Sequence, residues 1–285
     1  MINWLSILKF LPRNMLSQTF GRLARLHTPV FSVVLRNWFV HHYHIDLSEA
    51  SRPLEQYRNV HELFVRELKP GVRPIADDEI VCPVDGCLSQ CGALDDPDLG
   101  MIQAKGRGYS LKGLLRDSNL AERFRGGSFA VLYLAPFNYH RIHSPVDGTV
   151  LQALYCPGTL WPVNEQSVRK IQQLFCVNER LTTHLQCQQG GEILVVKVGA
   201  TNVGRITVSY TSDLITNDRK ILPRDKSCTI WRPQEEVHLD RAASLGVFEF
   251  GSTVVLVCDS EIRHRHPSLF QAWLGKNVRM GQSLK

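Results

Sequence analysis

From Val81 onward the apolar residues come in short bursts. "GSFAVLYLA" (127–135), "GTVLQALY" (148–155), "EILVVKVGA" (192–200), "VGRITVSY" (203–210) and "STVVLVC" (252–258) are each nine residues or fewer, with glycine, proline, asparagine and aspartate between them. Runs this short, rich in β-branched and aromatic residues and bounded by turn formers, read as strands. A series of them predicts an α+β chain whose body is mostly antiparallel, barrel- or sandwich-like. Pro12 and Pro29 divide the N-terminal third into short helices. Further helices are expected over 59–69, ended by Pro70-Gly71, over 110–123 and over 164–175. The division that follows is a helical region over 1–70 and a β-rich domain over 71–285.

The body contains an echo. "CPVDGCLSQ" (82–90) and "SPVDGTVLQ" (144–152) share Pro-Val-Asp-Gly, then an alternating stretch that ends in Gln. Asp-Gly is a strong turn signal. Two related β units are therefore expected, each opening at a tight turn.

Composition removes several classes. The 285 residues are 44% hydrophobic and 21% charged, which suits a globular chain. No stretch of eighteen apolar residues occurs, so no spanning helix is expected. "MINWLSILKFLPRNM" lacks the small-residue cleavage site of a secretory signal. The eight cysteines, at 82, 87, 91, 156, 176, 187, 228 and 258, form no Cys-x-x-Cys pair. A zinc cluster is not expected, and the cysteines read as reduced, mostly buried thiols of a cytosolic protein.

The net charge of +6 is unevenly placed. Lys9, Arg13, Arg22, Arg25 and Arg36 precede the first carboxylate, Asp46. Trp4, Leu8 and Leu11 share one helical face, as do Leu16, Phe20 and Leu23. Basic amphipathic helices of this kind lie on anionic bilayers. The expectation is a peripheral protein on the cytoplasmic face of a membrane; a helical hairpin packed on the body is the alternative. No dense Lys/Arg run marks a nucleic-acid partner.

The segment "APFNYHRIHSPVDG" (135–148) carries His140 and His143. Three residues apart on a helix they would share a face, as in a metal site, with Asp147 as a further ligand. Pro136 and Pro145 bracket the segment, however, and in an extended chain the two rings point to opposite sides. Asp85, His143 and Ser252 are the parts of an orienter, base and nucleophile. The hydrolase elbow Gly-x-Ser-x-Gly is missing around Ser252. The carbonyl nearest to that serine in sequence is Gly251's own.

Taken in order, these segments resemble the bacterial phosphatidylserine decarboxylase proenzymes. The Leu-Gly-Ser-Thr motif of that family reads Phe250-Gly251-Ser252-Thr253 here. "ELFVRELKPGVRPI" (62–75), "PVDG" (83–86), "QAKGRGYSL" (103–111), "YHRIHSP" (139–145), "PGTLWPVN" (157–164), "NER" (178–180), "VGATNVG" (198–204) and "VRMGQ" (278–282) follow in family order. The resemblance implies that His143, oriented by Asp85, deprotonates Ser252, whose oxygen attacks the Gly251 carbonyl. It implies cleavage between 251 and 252, leaving a pyruvoyl group derived from Ser252 as the covalent cofactor. That group would form a Schiff base with phosphatidylserine and release carbon dioxide and phosphatidylethanolamine, with His140 serving substrate handling and decarboxylation. The large (1–251) and small (252–285) chains would stay associated, and a homodimer of such heterodimers is compatible with the family. Phe250 departs from the usual Leu, and Asn138 stands where many relatives have Asp. Asp147, in the second turn, competes on paper with Asp85.

Other classes remain to be separated: a pyruvoyl decarboxylase of a soluble amino acid, a non-catalytic membrane-binding β-domain, and a His/Asp metal hydrolase. The first is disfavoured by the basic, acid-free N-terminus. The last lacks a full ligand set.

Overall fold

The computed structural model describes residues 19, 21–28, 30–104, 107–201, 205–216, 227–249 and 253–285. Helix α1 spans Phe31–Tyr43 and helix α2 spans Val60–Phe64. The strands are β1 (Gly86–Ala93), β2 (Gly100–Ala104), β3 (Arg107–Ser110), β4 (Ser128–Tyr133), β5 (Arg141–His143), β6 (Gly148–Cys156) and β7 (Arg180–Cys187). They continue with β8 (Glu192–Val198), β9 (Ile206–Val208), β10 (Thr229–Trp231), β11 (His238–Leu239), β12 (Ser244–Phe248), β13 (Thr253–Cys258) and β14 (Asn277–Val278).

Nine strands form one sheet in the order β10-β6-β7-β8-β13-β4-β1-β14, with β11 also on β6; β5-β12-β9 form a second sheet and β2-β3 a hairpin. Every strand pair is antiparallel. The fold is thus α+β and mostly antiparallel, as expected. The large sheet is not closed into a barrel: its edges are the three-residue β10 and the two-residue β14. Edges this short offer little to pair with, so the sheet ends without closing.

The order reads as two halves meeting between β8 and β13. β6, β7 and β8 on one side face β1, β4 and β13 on the other. Each Pro-Val-Asp-Gly turn opens a strand in its half: Gly86 begins β1 and Gly148 begins β6. Both strands then change register at the same step, between Leu88 and Gln90 against β4 and between Val150 and Gln152 against β7. The glycines are required by proximity. A Cβ at Gly86 would lie 2.5 Å from the Tyr133 carbonyl oxygen, and one at Gly148 would lie 2.4 Å from that of Gln186. The expected internal repeat is therefore a structural one.

Several local expectations shift. Helix α2 stops at Phe64, because the next residues run extended beside 49–51: Ser51 N–H donates to Glu67 O (2.9 Å) and Lys69 N–H to Glu49 O (2.8 Å). The helix over 110–123 is two, Leu111–Leu115 and Ser118–Arg123, broken where Arg116 turns left-handed (φ 53°). The helix over 164–175 is likewise two, Glu165–Lys170 and Leu174–Val177. Cys156 and Cys228 are not reduced thiols but a disulfide. The pairing of β10 with β6 aligns Thr229 with Tyr155 and so brings the preceding Cys228 beside Cys156, at a Cα–Cα distance of 4.4 Å. The other six cysteines are free.

Candidate active site

The two turns are laced together by a reciprocal pair of hydrogen bonds. Val81 N–H donates to Pro145 O and His143 N–H donates to Pro83 O, both at 2.9 Å. This exchange brings the residue after Val84, namely Asp85, into the neighbourhood of His143. Asp147, in the second turn, instead accepts from the Arg241 N–H (2.7 Å) and is not among the charges that act on His143. Asp85 accordingly acts on the His143 charge, raising its proton affinity against stronger opposing effects.

His143 ends β5, opposite Ser244 of β12. Its Nδ1 lies 2.7 Å from the Ala242 carbonyl, which can only accept, so Nδ1 carries the proton. Its Nε2 is then the acceptor of the Tyr139 hydroxyl, 3.0 Å away. Burial pushes the His143 pKa below its ordinary value. The ring is held neutral with a basic nitrogen at Nε2, the state a general base needs. Asp85 makes no hydrogen bond to it. The carboxylate instead accepts from Arg73 Nε (3.1 Å) and Nη2 (2.5 Å) and from the Met280 N–H (2.8 Å). The orienting hydrogen bond thus comes from Ala242, and Asp85 contributes charge from a position fixed by Arg73.

His140 has a different environment. It is wholly buried, with its ring centroid 3.9 Å from that of Phe64. Its Nδ1 donates to the Asn138 carbonyl at 2.8 Å, and its Nε2 has no partner among the described residues. Burial first, and then the Arg66 cation, push its pKa well below the ordinary value, so this ring too is neutral. The Asn138 side chain does not reach either histidine; its Oδ1 accepts from the Ala135 N–H at 2.8 Å and closes a turn. Asn138 acts on His140 through its backbone.

Gly251 and Ser252, with Phe250, lie outside the described residues. β12 ends at Phe248, whose N–H donates to His140 O at 3.1 Å. β13 begins at Thr253, and all six of its residues are buried between β4 and β8. The Gly251–Ser252 peptide therefore belongs to the four-residue link between the small sheet and the centre of the large one. Glu249, in that link, is ion-paired with Arg25 and lies 3.5 Å from His61 Nε2.

Sequence reasoning missed Arg66, Arg73, Tyr139 and Ala242. Tyr139 stands four residues before His143 in "YHRIH", but nothing in that spacing announces a hydrogen bond in extended chain. Among the described residues no group of three His, Cys, Asp or Glu side chains could hold a metal. His140 and His143 have separate partners, as their spacing in an extended chain suggested.

With this geometry in view, comparison with known proteins decides the lineage. A family model for phosphatidylserine decarboxylase matches residues 60–285. The chain belongs to that family. It is 41% identical to a phosphatidylserine decarboxylase proenzyme of Anaeromyxobacter sp. (strain K) over 285 residues, covering 99% of this chain and 97% of that one. It is 40% identical to the proenzyme of Brevibacillus brevis over 277 residues, with 96% and 94% covered, and 38% identical to that of Shewanella loihica over 255 residues, with 87% and 86% covered. The enzyme class implied by the motifs is the class these relatives carry in their names.

Proposed function

We propose that the chain breaks its own Gly251–Ser252 peptide, keeps a pyruvoyl group at residue 252, and uses it to convert phosphatidylserine to phosphatidylethanolamine and carbon dioxide. The observation that carries this reading is the His143 ring, kept neutral by burial and fixed by the Ala242 carbonyl in the tautomer whose basic atom is Nε2, with Asp85 acting on its charge. In self-cleavage, the Tyr139 hydroxyl gives up His143 Nε2, which takes the Ser252 hydroxyl proton as the oxygen attacks the Gly251 carbonyl. The amide nitrogen departs with a proton and an ester replaces the peptide bond. Loss of the Ser252 α-proton and of the Gly251 carboxylate then splits the chain, and water releases ammonia.

The residues present suit a pyruvoyl group. The strand that would carry it is paired on both sides from Thr253 on, so the new terminus is anchored in the stiffest part of the sheet. Such a group supplies a conjugated carbonyl that accepts the electron pair left when carbon dioxide departs. His140 Nε2, neutral and unpartnered, can take the proton that the substrate ammonium must lose, and can return it once carbon dioxide has gone. The apolar Phe64 face against that ring keeps water away.

A lipid substrate is supported by the outer face of α1. The helix packs Phe39, with Leu35, Val40 and Tyr43, on the core and buries Ser32 and Arg36, yet it exposes Phe31, Val34 and Trp38 (48%, 62% and 52%). Leu23, Leu26 and Val30 extend the exposed apolar surface. We assign this face to peripheral docking on an anionic membrane. Two of the five cations counted in the sequence are not free for lipid phosphates: Arg36 donates to the Tyr57 carbonyl (2.6 Å) and Arg25 pairs with Glu249. Arg22 is exposed, while Lys9, Arg13 and the Trp4 helical face lie outside the described residues. No helix of the described residues is long and apolar enough to cross a membrane.

Intact mass spectrometry tests the chemistry. The expected result is two chains, 1–251 and 252–285, the smaller without an α-amino group, and a single uncut chain for His143→Ala. A small chain that begins with a sequenceable serine sinks the pyruvoyl reading and spares only the cleavage. For docking, Phe31→Ser combined with Trp38→Ser should cut sedimentation with phosphatidylserine vesicles about tenfold or more while self-cleavage proceeds, since each ring buries a large apolar area. Unchanged sedimentation would move the docking surface elsewhere.

A further inference from the structure

Arg66, just beyond α2, is a buried cation with no ion pair among the described residues; the Asp85 carboxylate acts on it only at a distance and is itself paired with Arg73. Arg66 is 4% exposed. Its Nη2 donates to the carbonyls of Phe137 (3.1 Å) and Asn138 (3.3 Å), while Nε and Nη1 have no acceptor among the described residues. Other arginines around the site are neutralised: Arg73 pairs with Asp85 and Glu49, and Arg141 with Glu67. Arg180, also buried without a carboxylate, spends its Nε and Nη1 on the carbonyls of Leu114, Cys176 and Asn178. An unpaired buried guanidinium with two nitrogens unused is costly to keep, and an anion that arrives later repays it.

Its position says which anion. The Asn138 carbonyl that accepts from Arg66 Nη2 also accepts from His140 Nδ1. One oxygen thus ties the guanidinium to the imidazole, close enough for the Arg66 charge to act on the His140 ring, and each group keeps polar atoms without a partner among the described residues. The headgroup of phosphatidylserine presents the same trio in complementary form: an ammonium with a proton to lose and two oxyanions within a few bonds of it.

We propose that Arg66 anchors an oxyanion of the phosphoserine headgroup, bringing the substrate amine to His140. This rests on the reading of the His140 surroundings as the site of decarboxylation. Sealed from bulk solvent, the guanidinium escapes the screening that makes surface cations weak anchors. Of the two oxyanions, the carboxylate leaves as carbon dioxide, and pairing it with a cation would stabilise the ground state against that loss. The phosphodiester keeps its charge from substrate to product. Holding it lowers KM without hindering the chemical step, and arginine suits phosphate oxygens well.

The test compares full-length wild type, Arg66→Gln and Arg66→Lys. Conversion to two chains is followed on denaturing gels, and turnover is followed with phosphatidylserine in mixed micelles. The expected result is normal conversion in all three. KM should rise about ten- to hundredfold in Arg66→Gln with kcat little changed, and Arg66→Lys should recover part of the loss. Inhibition by phosphatidylethanolamine, which has the phosphodiester and no carboxylate, separates the two sources. Weakening in step with KM assigns the phosphodiester; unchanged inhibition assigns the carboxylate. A KM within twofold of wild type in Arg66→Gln overturns the proposal. So does a failure of the variants to convert, which would give the guanidinium to maturation instead. Failure of the underlying reading looks different: wild type itself would convert without decarboxylating, or His140→Ala would turn over normally.

Discussion

At Pro83–Gly86 and at Pro145–Gly148 the chain makes the same turn into the same kind of strand, and the parallels extend well beyond the tetrapeptide. Each aspartate accepts one backbone N–H from the segment that follows a two-residue edge strand: Met280, two residues after Val278 of β14, for Asp85 (2.8 Å), and Arg241, two residues after Leu239 of β11, for Asp147 (2.7 Å). Each turn is preceded by a small two-way bridge, Cys82 with Gln282 and Gly281 in one case, Ser144 with Ala243 and Ala242 in the other. The position two before the proline is Val81 in the first unit and His143 in the second. What differs is therefore a handful of side chains on a duplicated frame. The second unit carries the His143 imidazole, the first carries the carboxylate that acts on it, and the reciprocal Val81–Pro145 and His143–Pro83 bonds bring the two together. Arg73 is the third distinguishing feature, since it grips Asp85 while Asp147 has no such cation among the described residues.

The sharpest way to break this comparison is to exchange the fates of the two aspartates. Asp85→Asn removes the negative charge near His143 and leaves Arg73 half unpaired in a buried setting, which is strongly destabilising to the local arrangement. Self-cleavage should fall by about a hundredfold or more, in the range that loss of a charge partner to a catalytic histidine commonly costs. Asp147→Asn keeps an oxygen that can accept the Arg241 N–H, and so the placing of Ala242 next to it, and removes no charge that acts on His143. Its precursor should convert at the wild-type rate on a time-resolved gel. The opposite pattern would place the working carboxylate in the other turn.

Next in size is an effect that should be shared. Gly86→Ala and Gly148→Ala each push a Cβ to within 2.5 and 2.4 Å of a carbonyl oxygen on the neighbouring strand. The obstacle is backbone in both cases, so neither strand can yield cheaply. Each substitution should cost about 1–3 kcal/mol of unfolding free energy, measured by denaturant melts of an uncut Ser252→Ala background. A large loss at one glycine and none at the other would show that the frame is not duplicated in its energetics.

The echo itself was legible from the sequence because turn chemistry and strand alternation are local. So were the antiparallel class, the strands β4, β6, β8 and β13, and the separate surroundings of His140 and His143. β7 was not, because "RLTTHLQC" buries Arg180, Thr182, Thr183 and His184 in place of the apolar residues that advertise a strand. Nor was the ranking of Asp85 over Asp147 available to residue-level reading; motif resemblance favoured it, and what the structure adds is the placing of Asp85 near His143 through hydrogen bonds between residues some sixty positions apart. Tyr139, Ala242 and Arg66 escaped for a similar cause. Two of the site's decisive contacts are to backbone carbonyls, of Ala242 and Asn138, and a carbonyl belongs to every residue type. The disulfide escaped because it depends on the β10–β6 register.

The smallest expected effect concerns pH, and it sharpens the contrast between Val81 and His143 at matching positions. Burial lowers the His143 pKa below the ordinary 6.5, and Asp85 offsets only part of this. Between that lowered value and 6.5 the unfolded chain binds a proton that the folded chain refuses. Stability is therefore lost as pH falls through 6.5 toward the folded value, and the loss is complete below it. His61, lowered to about 4 chiefly by burial, adds a loss of the same sign over the range from 6.5 down to about 4. For the reaction the consequence runs the other way: the basic form of His143 persists to lower pH than a solvent-exposed histidine would allow. The precursor's self-cleavage rate should stay level from about pH 8 down past 6.5, within about twofold, and decline only as the lowered pKa is approached. Rapid dilution of uncut precursor into buffers across that range, with gel densitometry, reads the profile. A midpoint at 6.5 would mean an imidazole that water reaches freely, contrary to its burial and its two hydrogen bonds. In Asp85→Asn any residual cleavage should decline at a still lower pH, because the one nearby charge that favours the imidazolium is gone.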